Sequence, residues 1–206
     1  MSCALAAPAA AGFEEGRAAY NRQDWLHTIL ELRPLAETGD DRAMILLGNM
    51  YNEGYGVEPN PAKAFSLYWH AATDKNNPEA MDAVAAMYTS GEGIPQNYNA
   101  ARQWFLRAAQ LGDQRGAMFY AMIMYRGNKS DTDDVKPDFY ASYTWFSIAA
   151  KETTDPKSQD MARALAAAIA RKSLSAADVA RADQEIAAWK PLDAAGLGPA
   201  PAEPKN

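Results

Sequence analysis

AMILLGNMYNEGYGVEPNPAKAFSLYWHAATDKNNPE, residues 43–79, is followed at once by AMDAVAAMYTSGEGIPQNYNAARQWFLRAAQLG, residues 80–112. The two stretches match at an offset of 37 residues. Ala43, Tyr51, Gly54, Gly56, Val57, Ala64, Tyr68, Ala71 and Ala72 pair with Ala80, Tyr88, Gly91, Gly93, Ile94, Ala101, Phe105, Ala108 and Ala109. A fixed period of this length marks a repeat array, in which each unit is one supersecondary element stacked on the next. Within the first copy, Ala43, Leu47, Met50 and Tyr51 fall on one face of a helix. Gly54 supplies the positive φ that ends it, Gly56 lets the turn continue closely packed, and Val57 anchors the turn. Pro59 and Pro61 bar a helix before about residue 60 and suit the start of the next. Ala64, Leu67, Tyr68, Ala71 and Ala72 then mark a second helix, with small residues where helices approach closely. A hairpin of this size cannot bury its apolar face alone, so it must stack. The expected fold class is all-α, an α-α superhelix.

Outside this core the pattern loosens. Phe13 to Gly39 reads as a divergent first unit, with Asp24 capping a helix that carries Trp25, Ile29, Leu32 and Leu35 and meets Pro34, where a kink or early end is expected. Ala117 and Tyr125 continue the 37-residue register, but Ala149-Ala150 lie 41 residues after Ala108-Ala109. The extra residues fall in Gly127 to Pro137, the inter-helix turn, where arrays tolerate insertion. Met161, Leu165, Ala168 and Ile169 mark a further helix. Ser175 caps another, with Val179, Ala182, Ile186 and Trp189 on its apolar face. These two read as a terminal cap on a single solenoid spanning 13–190. Residues 191–206 hold too many prolines for a helix and read as a disordered tail. Residues 1–12, MSCALAAPAAAG, read as the remnant of a secretory signal peptide or a disordered leader. The expectation is a periplasmic or secreted protein, with a cytoplasmic one as the alternative.

Composition narrows the function classes. The 206 residues carry a net charge of −6 without a long basic run, which argues against a nucleic-acid surface. The single cysteine, Cys3, excludes an intrachain disulfide and a thiolate zinc cluster. No apolar run reaches the roughly 18 residues of a membrane span.

The strings LGNMYNEGYGVEPNPAKAFSLY from Leu47 and VAAMYTSGEGIPQNYNAARQWFLRAAQLGD from Val84 resemble the Sel-one-like repeat family, a relative of the tetratricopeptide repeats. The resemblance covers about Asp41 to Lys151. Val84-Ala85 departs from the family's Leu-Gly, and the third unit lacks the Gly-x-Gly turn. It implies a right-handed solenoid in which the first helix of each hairpin lines a concave face. The positions so placed are Ile45, Asn49, Asn52 and Glu53 in the first full unit. In the second they are Asp82, Ala86 and Thr89. In the third they are Phe119, Tyr120, Ile123 and Arg126. Phe119 and Tyr120 would give the groove an apolar end, unless these aromatics pack against the C-terminal cap instead. The implied function is a non-catalytic interaction scaffold holding a protein or peptide partner in the groove.

Signs of chemistry are sparse. His27 and His70 read as isolated, exposed or capping residues and not as a metal pair. Ser130-Asp131-Thr132-Asp133-Asp134 invites a calcium reading, but Lys136 and Ser142 stand where an EF-hand needs Gly and Glu. Gly91-Glu92-Gly93 has neither the third glycine nor the lysine of a phosphate loop. No Gly-x-Ser-x-Gly is present, and Cys3 is too near the chain end to serve as a nucleophile. No cofactor and no enzyme activity are expected. A cell-wall glycan stacked on aromatics near Tyr120 and Trp145 is the alternative ligand, and a cryptic hydrolase the more distant one.

Overall fold

The computed structural model describes residues 9–129 and 134–204. Met1 to Pro8, with Cys3 and most of the leader, Ser130 to Asp133 of the acidic loop, and Lys205 and Asn206 at the end of the tail lie outside the described residues. Among the described residues ten α-helices follow in order. They are α1 (Ala9–Asn21), α2 (Trp25–Glu37), α3 (Asp41–Glu53), α4 (Pro61–Asp74) and α5 (Pro78–Ser90). Then come α6 (Tyr98–Gln110), α7 (Gln114–Arg126), α8 (Phe139–Glu152), α9 (Pro156–Ser173) and α10 (Ala176–Ala188). Neighbours in the chain pack as hairpins, α1 on α2, α3 on α4, α7 on α8 and α8 on α9, and the fold is all-α. A short antiparallel pair, β1 (Asn128–Lys129) with β2 (Asp134–Val135), sits in the turn read from sequence as an insertion. The chain forms two compact units, Met1–Ala80 and Met81–Asn206.

In the first unit Phe13, Leu32, Ala36, Ala43, Leu47 and Met50 form the core. Asp24 caps α2 by accepting from the His27 amide. The helix then runs unbroken through Pro34 to Glu37. Proline removes one rung, at Leu30, but Leu26 and Leu30 lie on an exposed side, where water can take the place of the missing donor. Gly54 ends α3 at φ 74°, with its amide on the Met50 carbonyl. Gly56, at φ 68°, is packed so closely that a Cβ would collide with Trp25. That close approach lets Trp25 stack on Tyr55 with centroids 5.0 Å apart. His27 and His70 are exposed but not isolated. Their Nδ1 atoms lie 2.7 Å from Asp24 and 3.3 Å from Asp74, so the sequence reading missed a carboxylate beside each.

The repeat is also written in the turn hydrogen bonds. The Asn60 amide donates to the Tyr51 carbonyl at 2.7 Å, and the Asn97 amide to Tyr88 at 2.9 Å. Each asparagine side chain then caps the following helix, accepting from Lys63 and Ala100 amides. In the third unit Asp138 takes both roles, but its amide donates to the carbonyl of Met124, not Tyr125. The inserted hairpin is absorbed by this one-residue slip. Tyr125 is consequently exposed and packs edge-on against Phe139, whereas Tyr88 is buried.

In the second unit Ala121, Tyr143, Phe146, Ala166, Ile169 and Ala182 form the core of α7 to α10. On α9 the buried face is Ala162, Ala166 and Ile169, while Met161 is exposed. Ala162, Ala166 and Ile169 are spaced i, i+4 and i+7 along one stripe, and Met161 stands one residue, about 100°, off it. The segment after Trp189, read from composition as a disordered tail, is laid along α6. Pro191 lies against Gly112, the Leu192 amide donates to the Gln110 carbonyl, and Arg107 holds two carbonyls further on.

Two phenols of this unit link stability to pH. Burial, with the Glu203 carboxylate nearby, pushes Tyr88 up to about 12. Burial, with a hydrogen bond to Asp183, pushes Tyr143 up to about 12. An unfolded tyrosine ionises near pH 10. The folded state therefore holds these protons more tightly, and their contribution is full below about pH 10 and lost as pH rises through about 12. Urea-unfolding midpoints should fall across that window, and the fall should be shallower in Tyr143→Phe. An identical slope in the variant would contradict this linkage.

Candidate functional site

A cleft of about 400 Å³ opens in the second unit between α5 and α7, with Phe105 of α6 at its floor. α5 contributes Asp82, Ala86, Thr89 and Ser90, which share one helical face. α7 contributes Arg115, Phe119, Met122, Ile123 and Arg126 on the same logic, and Asn128 closes one end. The geometry begins at Gly116. A Cβ there would stand 2.7 Å from the Ala108 Cβ and 2.9 Å from the Phe105 carbonyl oxygen. Only glycine lets α7 come this near to α6. One turn later Phe119 lands over Phe105, with centroids 5.1 Å apart and planes 25° from parallel. Phe105 is buried and Phe119 is 44% exposed, so the pair gives the cleft an apolar floor with an open ring edge.

The charges are placed unevenly. Asp82 is 1% exposed, and its Oδ2 lies 3.3 Å from Nε of Arg115, whose side chain stays 67% exposed. Arg126 is exposed in the last turn of α7. Among the described lining residues the accessible charges are therefore these two guanidinium groups, in a chain of net charge −6. Thr89 turns its hydroxyl to the Ala85 carbonyl of its own helix at 2.8 Å, leaving its methyl group for the cleft. An adjoining cleft of about 300 Å³ shares Arg115, Phe119 and Met122 and adds Met118 and the exposed Met161. Methionines make such a surface adaptable in shape.

Six of the seven positions assigned to this unit from sequence line the cleft: Asp82, Ala86, Thr89, Phe119, Ile123 and Arg126. Tyr120 does not. It is buried, with its ring edge-on to Trp145 at 5.8 Å, and burial raises its phenol pKa. Trp145 in turn meets Trp189 edge-on at 6.0 Å. These rings pack edge to face on one another, so the aromatic platform expected for a sugar is spent on packing. In the first unit Ile45 is core, not surface. Asn49 accepts from the Tyr68 hydroxyl at 2.7 Å, and Asn52 donates to Glu53 at 2.9 Å, which leaves Glu53 the exposed member of the four. Sequence reasoning missed Arg115 and Met122. Their signal is the spacing 115, 119, 122, 126, a single stripe along α7.

Comparison with known proteins accounts for the hairpin period. Residues 41–72, 78–113 and 115–153 each match the Sel1 repeat. The chain belongs to the Sel1 repeat family. A Sel1 repeat protein from Oxalobacter formigenes has a similar fold, with a TM-score of 0.61 at 20% identity over 81% of this chain and 71% of that one. So does a protective antigen with an SLR fold from uropathogenic Escherichia coli, with a TM-score of 0.62 at 21% identity over 90% of this chain and 47% of that one. Among curated proteins, an ERAD-associated E3 ubiquitin-protein ligase component of Arabidopsis thaliana is 28% identical over 47% of this chain and 16% of its own length. Chitin synthase regulatory factor 2 of Schizosaccharomyces pombe is 38% identical over 50% of this chain and 20% of its own. The chain thus spans a fifth or less of the length of these Sel1 repeat relatives. Among the described residues no helix is long and apolar enough to cross a membrane, and no three His, Cys, Asp or Glu side chains gather as a metal site.

Proposed function

We propose that this Sel1 repeat chain is a non-catalytic binding module and that the α5–α7 cleft docks a peptide segment of a partner protein. The observation that carries the reading is the Phe105–Phe119–Met122 floor set between two exposed arginines in an acidic chain. An apolar floor takes an apolar side chain, and flanking cations favour acidic neighbours on either side of it. The segment that fits is therefore a large apolar residue bracketed by Asp or Glu. The relatives' names give independent support, since a ligase component and a synthase regulatory factor are both named for the proteins they serve. The Ala-x-Ala pattern of Ala9 to Ala11 favours an exported protein, and cell fractionation tests that location.

The site is tested by panning random displayed peptides on the full chain. Enrichment of sequences with an aromatic or Leu/Met residue flanked by acidic residues is expected. Their capture should be lost on Phe119→Ala. Selection of an unrelated motif, or undiminished capture by a folded Phe119→Ala chain, would overturn the assignment.

A further inference from the structure

The second unit also holds a buried cation, unlike the exposed arginines of the cleft. Arg107 is 9% exposed, and its Nη1 donates to the carbonyls of Gly198 at 2.6 Å and Pro199 at 3.0 Å. Its guanidinium sits 5.9 Å from the ring of the fully buried Trp104. Nε has no hydrogen-bond acceptor among the described residues. Burial lowers the Arg107 pKa, as desolvation of a cation must. A guanidinium taken out of water normally meets a carboxylate. Here it meets two successive main-chain carbonyls, which is recognition of an extended backbone and not of a side chain.

Repeat stacking does not require this arginine. The position before each Ala-Ala pair is His70, Arg107 and Ile148 in the three full units, and His70 is exposed. The occupant of Arg107 is also unusual in composition. Residues 197–204 read LGPAPAEP, three of them prolines that offer carbonyls without amide donors. Leu197, Pro201 and Pro204 are half-buried, while residues 198–200, 202 and 203 are exposed. Pro201 and Pro204 stand three residues apart, the repeat of a polyproline II helix. The segment is tethered at its start by the Leu192 amide on the Gln110 carbonyl, and at its far end Glu203 lies near Tyr88.

We propose that the α6 surface around Trp104 and Arg107 is a second docking site, specific for extended proline-containing segments, and that the chain's own residues 197–204 are its resident ligand. The tail acts as an internal competitor. Its tether gives it a high effective concentration, so an equivalent segment in trans binds only weakly until the tail is released.

The experiment uses the full chain and a fluorescent peptide of sequence PLDAAGLGPAPAEPKN, read by anisotropy. In Leu197→Asp/Pro201→Asp the internal tail is weakened, and the peptide should bind at least tenfold more tightly than to the wild-type chain. Adding Arg107→Met to that chain should reverse the gain. Should Arg107→Met fail to fold, Arg107→Lys keeps the charge but loses the planar guanidinium whose Nη1 meets both carbonyls, and a partial loss is expected. Equal affinity of the peptide for the wild-type and tail-weakened chains would overturn the proposal. So would a gain that survives both Arg107 substitutions.

Discussion

Gly116→Val is expected to cost the second unit about 3 kcal/mol or more. The reason is that two of the three atoms its Cβ would meet are backbone. They are the Phe105 carbonyl oxygen at 2.9 Å and the Ala109 nitrogen at 3.0 Å, with the Ala108 Cβ at 2.7 Å as the third. A flexible side chain could swing away, but a helix backbone cannot without breaking its own hydrogen bonds. α7 must therefore move off α6. Gly116→Ala should cost less, because alanine's helix propensity offsets about 1 kcal/mol of the clash. Gly198→Ala serves as control, since no atom lies within 4 Å of its added Cβ. Urea unfolding followed by circular dichroism measures all three. A wild-type midpoint in Gly116→Val would show that α7 does not need this close approach. The same displacement would part Phe119 from Phe105, so the folded remainder of Gly116→Ala should also bind cleft peptides less tightly.

Phe119→Ala is expected to weaken a cleft-selected peptide by about 30-fold, the effect of losing an anchor worth roughly 2 kcal/mol. The arginines need different treatment. Arg126 is exposed, and Arg126→Glu should slow association and flatten its salt dependence without touching stability. Arg115→Glu would place a second carboxylate against the buried Asp82, so a loss of binding there would mix repulsion with unfolding. Arg115→Gln is the cleaner change. Biosensor kinetics at low and high salt separate these effects. Rates for Arg126→Glu that match the wild type at low salt would remove electrostatics from the account of the site.

The hairpin plan was legible because its requirements are local. Gly54 and Gly56 are bound to positive φ and close approach, Pro61 to a first helical turn, and the glycine pair survives as letters 37 residues on. The Asn60 and Asn97 caps are equally regular and could have been read from the same offset. Phase within a helix was harder. Adjacent residues are about 100° apart, and here that step turns Tyr120 in against Trp145 while Phe119 lines the cleft. Which of them lines it depends on Gly116, whose role exists only once α6 is present. Ile45 was misplaced for the same reason, since its neighbours in sequence do not show which side meets the core. The tail shows a different limit. Its composition is correctly that of a segment unable to build a core, but the acceptor-seeking Arg107 that holds it lies about 90 residues away. Met161 against Ala162 is again an error of phase, since the buried stripe of α9 runs one residue later than the one read from its apolar residues.

Methyl and amide chemical-shift mapping of the full chain, on titration with a cleft-selected peptide, tests peptide docking in the α5–α7 cleft. Saturable shifts concentrated at Ala86, Thr89, Met122 and Ile123 are expected, with Leu26 and Leu30 unmoved. Shifts absent from those four residues and concentrated elsewhere would contradict that docking.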